Sequence, residues 1–375
     1  MKPATIDEQR LRRSLRRLVD IYSPSGKEEE IVSFVARQLR KAGLPVERVE
    51  VDEDRDDLLV RSEEVEPRVV FVGHLDTVPA YDFDRLECRD QDERILGLGA
   101  ADMKGGCAAM IEAFTALGAE RLARIPAALA LVVGEEEAGD GAEALLRHAD
   151  FSWAIVGEPS RLAPCLGSYS YLEAVLKARG RRAHASLGNP KDNAIQRLLR
   201  VLLELTEHLD QRSEELVYNL RDMESSEGGF AIPDRCEAWL DLHLRPGAST
   251  GQVTSELGEL VAEASKRLGD GRVELDYTTI HEGYELPDRG LVPEVLRSVY
   301  QQLSLGWEPT AYRSHSDANL FWAAGVRPII LGPGALEVAH SKDEAVAFDE
   351  VAQAARIYLA ALESLERSGV EDCQR

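Results

Sequence analysis

Side chains that commonly bind metal ions follow several apolar segments of this chain. The segment FVGHLDTVP at 71–79 places His74 and Asp76 two residues apart, directly after an apolar run. The other candidates follow ALALVVG, WAIVG and IILGPG, or lie in the loop GLGAADMKGG: Glu135, Glu136, Glu137, Glu158, His340 and Asp102. Each group alone is more often a solvated turn than a site. Together they offer the imidazole nitrogens and carboxylate oxygens that bind Zn²⁺ without cysteine.

The number of these groups suits a pair of metal ions. Two metals roughly 3.5–4 Å apart share a bridging carboxylate and need two further ligands each. Asp102 can serve as the bridge. His74 and Glu158 can then complete one metal, and Glu137 and His340 the other.

Two further carboxylates have roles beside such a metal pair. Asp76 can accept the second ring N–H of His74 and so fix the tautomer that binds the metal. Glu136 lies next to a proposed ligand, and its carboxylate can take a proton from an activated water molecule. This arrangement predicts metal-assisted hydrolysis.

The segments that must hold these residues alternate between strand-like and helix-like patterns. Short apolar runs occur at 46–51, 57–61, 69–72, 127–133 and 153–159, and helical patterns precede the first of them and separate the last three. This alternation predicts an α/β domain with a largely parallel sheet. Ligand sites in such sheets gather at the carboxyl ends of the strands, where most of the candidates lie.

The pattern changes after about residue 167 and returns after about residue 282. The intervening stretch contains alternating strands, such as RCEAWLDLHLR at 235–245, and two long helical patterns at 193–209 and 249–268. We therefore predict a discontinuous metal-binding domain, 1–166 and 283–375, with an inserted α+β domain, 167–282.

Composition excludes several other functions. The formal net charge is −23, and an acidic chain repels phosphate backbones, so a nucleic-acid partner is not expected. No run of about 18 apolar residues is present, so no membrane span is expected. The five cysteines show no CxxC spacing and the N-terminus lacks an apolar signal segment, which predicts a cytoplasmic protein.

The motifs GHLDTVP, GLGAADMKGG, VVGEEEAG, VGEPS and HSKDE occur in this order along nearly the whole chain. In type and order they resemble the dinuclear-zinc aminoacylase and carboxypeptidase family. That family includes acetylornithine deacetylase, succinyl-diaminopimelate desuccinylase and glutamate carboxypeptidase, and lysine-pathway hydrolases that act on a carrier protein. The resemblance implies a phosphorylase/hydrolase-like, zinc-dependent exopeptidase domain with an inserted βαββαβ lid, through which two chains pair as a homodimer.

The resemblance implies two divalent ions, Zn²⁺ or alternatively Co²⁺, on the five ligands named above. It gives Asp76 the orienting role and Glu136 the role of general base. One ambiguity concerns the three glutamates, which replace the usual Asp-Glu-Glu of the family. The spacing to Gly141 also permits Glu135 as the base and Glu136 as the ligand, although we favour Glu136 and Glu137.

The resemblance also points to residues outside the metal ligands. His184, in GRRAHAS, matches a lid histidine that reaches the partner chain's active site and donates a hydrogen bond to the developing oxyanion. His243 stands where the family often has arginine, and Phe230 where asparagine is usual, so the binding of a substrate carboxylate stays open. The candidates for substrate binding are Arg245, Gly332 and Gly334.

The expected reaction is hydrolysis of the amide bond of a small N-acylated amino acid by water activated between the two metals. An acetylornithine deacetylase-like activity is the first expectation. The alternatives are a hydrolase that releases lysine or ornithine from a carrier protein, and a dipeptidase or carboxypeptidase.

Overall fold

The computed structural model describes residues 4–80, 87–189, 191–269 and 272–372, with side chains up to residue 367. The chain forms two compact units. The first consists of residues 1–167, 286–312 and 316–375, and the second of residues 168–285 with 313–315. The sequence-based limits assigned 283–285 and 313–315 to the first domain, whereas their contacts lie with the second unit.

The first unit is built on a main sheet with helices. Its strands are β1 Val46–Glu50, β2 Asp56–Val60, β3 Val69–His74, β4 Arg89–Gln91, β5 Arg94–Leu96, β6 Ala127–Val132, β7 Trp153–Val156, β8 Cys165–Ser168, β14 Thr310–Tyr312, β15 Arg327–Ile330 and β16 Ala345–Ala347. Its helices are α1 Glu8–Asp20, α2 Glu29–Lys41, α3 Gly105–Leu117, α4 Ala119–Leu122, α5 Asp140–His148, α8 Leu291–Gln302, α9 Asp317–Ala323 and α10 Phe348–Asp372.

The main sheet runs in the order β1-β2-β6-β3-β7-β15-β8, with β14 paired to β8, and β16-β5-β4 form a separate small sheet. The central strands β6, β3, β7 and β15 are parallel to one another. Every residue of β3 and β6 is buried, which explains their continuous apolar sequences. Phe71 of β3 meets Phe114 of α3 and Tyr358 of α10 edge to face, at ring-centroid distances of 5.5 and 5.8 Å.

The second unit has the element order β-α-β-β-α-β. Its elements are β9 Ser170–Arg179, α6 Ala194–Asp210, β10 Leu216–Ser225, β11 Arg235–Leu244, α7 Thr250–Arg267 and β12 Val273–His281, followed by the short β13 Tyr284–Glu285. The sheet order is β10-β11-β9-β12, and each of these pairs is antiparallel. Alternate residues of β9 and β11 pack against α6, and α7 packs against β12 and α6, so one face of this sheet forms the core of the unit.

The α/β class predicted from the sequence is confirmed. The sheet itself is mixed rather than largely parallel, because the β1-β2, β2-β6 and β15-β8 pairs are antiparallel and, among the described pairs, only the four central strands run parallel. Within the described part of the chain, no helix combines the length and apolar character needed to cross a lipid bilayer.

Candidate metal centre

The ends of neighbouring parallel strands bring the candidate residues of the first unit together. His74 is the last residue of β3, which lies between β6 and β7. The glutamates 135–137 follow β6 after a short turn, and Glu158 comes two residues after β7. Because these strands run in the same direction, their carboxyl ends open at one edge of the sheet. Imidazole and carboxylate groups therefore meet at this edge.

Asp102 lies at the middle of the group and contacts two histidines through different oxygens. Its Oδ1 is 3.3 Å from Nε2 of His74, and its Oδ2 is 3.4 Å from Nε2 of His340. The Asp102 carboxylate is buried in the irregular turn Ala100–Lys104 that precedes α3. A carboxylate held in this way can bridge two cations, each with its own histidine.

The three consecutive glutamates occupy different environments. An oxygen of Glu136 lies 3.0 Å from Nε2 of His340, and Glu136 forms one compact cluster of possible ligand atoms with His74 and Asp102. Oε2 of Glu135 lies 3.9 Å from Nε2 of His74. Glu137 is exposed and takes no part in the cluster.

The preferred sequence assignment, with Glu137 as ligand and Glu136 as base, does not fit this geometry. The cause is the turn after β6, in which the N–H groups of Ala138 and Gly139 both donate to the carbonyl oxygen of Gly134. This turn directs the second glutamate toward His340 and leaves the third in solvent. We therefore adopt the other assignment, with Glu136 as the ligand and Glu135 as the candidate base.

Asp76 fixes both the histidine and the glutamate turn. Its Oδ1 is 3.5 Å from Nδ1 of His74, and that same ring nitrogen is 3.1 Å from the backbone oxygen of Asp76. The carboxylate also accepts the backbone N–H groups of Glu135 at 3.3 Å and Glu136 at 3.0 Å. The Ser25 hydroxyl donates to it at 2.7 Å. The sequence analysis assigned no role at this site to Ser25.

Glu344 supports the turn that carries Asp102, a role that the sequence analysis did not identify. Its Oε1 accepts the backbone N–H groups of Ala101 at 2.9 Å and Asp102 at 3.0 Å, and its Oε2 accepts that of Gly99 at 3.0 Å. One buried side chain therefore holds the turn that presents the Asp102 carboxylate. Glu344 is the last residue of the motif HSKDE, but the sequence analysis assigned a role only to its histidine.

Gly332 and Gly334 lie beside the site and shape its backbone. The carbonyl oxygen of Gly332 accepts the N–H groups of Ser160 at 3.3 Å and Leu162 at 3.0 Å, which ties the segment after Glu158 to the end of β15. A Cβ atom at Gly332 would stand 2.1 Å from the carbonyl oxygen of Gly157, so only glycine allows this approach. These contacts give Gly332 a role in positioning the Glu158 segment.

The site brings several buried carboxylates together, and the ion pairs described for them are with the two histidines of the site. Burial raises the pKa of Glu158 well above its usual range, and the neighbouring Asp102 charge adds to this effect. Burial raises the pKa of Glu135 well above its usual range. Repulsion by Glu136 adds to this effect, and the charge of His74 opposes it. Among the described residues, Oε1 of Glu158 is buried and has no hydrogen-bond partner.

The two histidines respond in the opposite direction. Burial opposes protonation of His74, yet hydrogen bonds with Asp102 and Asp76 raise its pKa well above the usual value. The pKa of His340 is raised in the same way by Asp102 and Glu136. The raised pKa values show that the surrounding carboxylates favour positive charge at these imidazoles, and divalent cations bound to the same nitrogens would supply that charge.

The remaining predicted site residues belong to the second unit. His184 is exposed and caps a short 3-10 turn, where its Nδ1 lies 2.8 Å from the Ser186 hydroxyl. Arg245 is exposed directly after β11. The described contacts of these residues do not join them to a common cluster.

The second unit also contains a group of aromatic and imidazole rings that the sequence analysis did not identify. We call Tyr171, His243, His281 and His315 the ring stack. His315 lies over Tyr171 with ring centroids 4.0 Å apart and planes 7° apart, and His281 lies 5.6 Å from His315 at 12°. His243 is tilted, with its centroid 5.2 Å from that of Tyr171.

Residues 70–364, well over half of the chain, match the family described as Peptidase family M20/M25/M40. The chain belongs to this family. It is 29% identical over 363 residues to a succinyl-diaminopimelate desuccinylase of Corynebacterium glutamicum, covering 91% of this chain and 93% of the relative. It is 26% identical over 343 residues to an acetylornithine deacetylase of Vibrio parahaemolyticus, covering 85% and 87%.

Solved structures share the M20 fold along nearly the whole chain. A tripeptidase of Staphylococcus aureus has a TM-score of 0.79 at 21% identity and covers 96% of this chain and 99% of its own. A dinuclear metal-binding peptidase of the M20 family from Bacillus subtilis has a TM-score of 0.67 at 13% identity, with 96% and 98% covered. The chain is therefore a hydrolase of amide bonds, in a family that depends on metal ions.

Proposed function

We propose that this protein hydrolyses the amide bond of a small N-acylated amino acid at a dinuclear metal centre. One observation carries the proposal: the two oxygens of the buried Asp102 carboxylate face two different histidines, at 3.3 and 3.4 Å. A bridging carboxylate between two such half-sites is what a pair of hydrolytic metals requires.

The residues present supply a complete set of ligands for two ions. His74, Asp102 and Glu158 would hold one ion, and Asp102, Glu136 and His340 the other. Oε1 of Glu158 is 3.9 Å from Nε2 of His74, and it is available for such a bond. Divalent ions bound there would supply Lewis acidity to the scissile carbonyl and make water more acidic. Zn²⁺ suits this mixture of nitrogen and oxygen donors.

Glu135 is the chain's own candidate for proton transfer. Its carboxylate stands beside the ligand set without being needed in it, and its side chain is 13% exposed, so water and substrate can reach it. Burial and neighbouring carboxylates raise its pKa, which helps it to hold a proton and return it to the leaving amine. Asp76 positions its backbone through the N–H group of Glu135.

We propose deacylation of the acetylornithine type as the reaction, because relatives with that name and a desuccinylase align with most of the chain. We further propose that the second unit mediates pairing of two chains and that His184 contacts the substrate carbonyl in the partner's site. The exposure of His184 leaves it free for such a contact.

The glutamate triplet offers a matched test of the base. Glu135→Gln keeps both ions but lowers kcat by about 10²–10⁴-fold, because the amide cannot accept a proton. Glu137→Gln is the control and keeps both metal content and kcat, since its side chain is exposed. The assay measures hydrolysis of N-acetylornithine, N-succinyl-diaminopimelate and a dipeptide, with metal counted by atomic spectroscopy. Normal turnover by Glu135→Gln would remove Glu135 from the mechanism.

A further inference from the structure

A cavity of about 660 Å³ in the first unit is lined mainly by residues of α1 and α2, and Thr115 of α3 also borders it. Four of its lining side chains are cationic: Arg10, Arg13, Arg17 and Lys41. Among the described residues, none of those that line it is acidic, although the chain contains 67 acidic and 44 basic residues. None of the metal-centre residues borders it.

Helical spacing explains why these charges gather. Arg10, Arg13 and Arg17 are three and four residues apart on α1, so they share one face of the helix. The other arginines of this helix are engaged elsewhere: Arg12 lies 2.8 Å from Asp90, and Arg16 lies 3.9 Å from the same carboxylate. The arginines of α1 that line the cavity therefore share one face of the helix.

Arg10 is the anchored member of the group. Its guanidinium makes two hydrogen bonds of 2.7 Å to Glu112 of α3, whose side chain is only 2% exposed. This pair neutralises Arg10 and fixes one wall of the cavity. The excess positive charge must come from the other three side chains.

Arg13 and Lys41 supply most of that excess. Both are exposed, and in the described ranges neither makes an ion pair. Arg17 has a weak contact with Glu30 at 3.9 Å, and both of those side chains are more than half exposed. Ser14 and Gln38 add a neutral hydrogen-bonding pair to the lining, joined at 3.2 and 2.9 Å.

We infer that this cavity binds a small ligand with at least two negative charges, on a phosphate group or on carboxylates. Its volume lies in the range of about 300–1,000 Å³ typical of small-molecule sites. Guanidinium groups bind phosphate and carboxylate oxygens through paired hydrogen bonds, and these are stronger than neutral hydrogen bonds. In a chain of net charge −23, such a concave cationic surface attracts a small anion selectively.

The test uses isothermal titration of the full-length, metal-loaded protein with three probes. AMP and glycerol 3-phosphate carry a phosphate group, and succinate carries two carboxylates. We expect saturable binding of at least one probe, with a Kd that rises with salt. In the double variant Arg13→Gln/Lys41→Gln, the Kd should rise by about 10-fold or more, because two charge-assisted contacts are lost.

Arg16→Gln is the matched control, since it removes an exposed arginine of the same helix that does not line the cavity. It should leave the Kd within about 2-fold, and the single variant Arg13→Gln should give an intermediate value. Thermal melting checks that the variants are folded. The inference is overturned if no probe saturates below about 1 mM at physiological salt. It is also overturned if the double variant still binds the probe. Binding that disappears only on metal chelation counts against the inference in the same way, because it would take place at the metal centre.

Discussion

Histidines gather at two regions of the molecule, and only one of these regions is arranged to hold a cation. In the metal centre, Nε2 atoms of His74 and His340 approach the two oxygens of Asp102. In the ring stack, His315 and Tyr171 meet face to face with planes 7° apart. Because the lone pair of an imidazole lies in the ring plane, parallel stacked rings do not direct their nitrogens at a common point. Ring orientation, rather than the number of histidines, therefore distinguishes the two regions.

The carboxylates of the two regions differ as well. Asp241, beside the ring stack, accepts the Tyr171 hydroxyl at 3.0 Å and lies 3.4 Å from Arg221. Arg221 also contacts Glu173 at 2.8 Å. In contrast, the carboxylates of the metal centre face one another and two histidines. Near the ring stack, Arg221 pairs with both carboxylates, whereas the ion pairs described for the carboxylates of the metal centre are with histidines, an arrangement that suits added cations.

The sharpest test of this comparison removes one imidazole from each region. His340→Ala should lose metal and lower kcat/KM by more than about 100-fold. Loss of a proposed metal ligand should reduce activity at least as much as loss of a group that orients a ligand. His315→Ala should keep the metal content of the wild type and lower the free energy of unfolding by about 1–3 kcal/mol through lost packing. Metal analysis and chemical denaturation measure the two effects. Loss of metal from His315→Ala would remove the distinction.

A second test weakens the support of the metal centre without touching a ligand. Glu344→Gln replaces an oxygen that accepts backbone N–H groups with an amide nitrogen that cannot, so the turn carrying Asp102 loosens. We expect metal affinity to fall by about 10–100-fold, as for other groups that orient ligands. Asp343→Asn is the control, because Asp343 is the exposed neighbour. Competition with a chelator measures the affinity, and equal values for both variants would contradict the role of Glu344.

A third, smaller effect concerns a buried carboxylate outside both groups. Asp57 is fully buried, and burial raises its pKa to about 8. Between about pH 4 and 8 the folded state keeps this proton while the unfolded state releases it, so the stability that Asp57 contributes is lost as pH rises through that window. Asp57→Asn keeps an oxygen for the Val133 N–H group and should remove this loss.

The measurement is urea denaturation at a series of pH values. The stability of Asp57→Asn relative to wild type should grow by a few kcal/mol, on the order of 1.4 kcal/mol per pKa unit at most, as pH rises from 4 to 8. Asp54→Asn, at an exposed position, should show no such trend. A constant difference across the series would mean that Asp57 is ionised in the folded protein.

The sequence predicted those features that depend on local pattern. Continuous apolar runs identified the buried parallel strands, and their ends located His74, the glutamate triplet and Glu158. Spacing alone did not decide which glutamate faces the site, because the turn after β6 sets that direction through hydrogen bonds to Gly134 and Asp76. The same three-glutamate motif is compatible with two positions of the turn that differ by one residue, and each position gives every glutamate a different role.

Other features required the three-dimensional structure because they depend on distant contacts. Glu344 acts on the turn at 99–102, more than 240 positions earlier in the chain. The members of the ring stack come from three strands and a separate short segment, with no shared motif. β10 was not identified because it is an edge strand whose residues are mostly exposed, which removes the alternating pattern.

The hydrogen bonds from Gly99, Ala101 and Asp102 to Glu344 have a consequence for biosynthesis. During translation, every segment of the second unit leaves the ribosome before His340 and Glu344 do. The second unit's sheet can therefore form while the first unit still lacks His340 and the Glu344 side chain that holds the turn of Asp102. A product truncated before His340 would lack both this histidine and the Glu344 contacts, so we expect it to lose the arrangement of ligand atoms around Asp102.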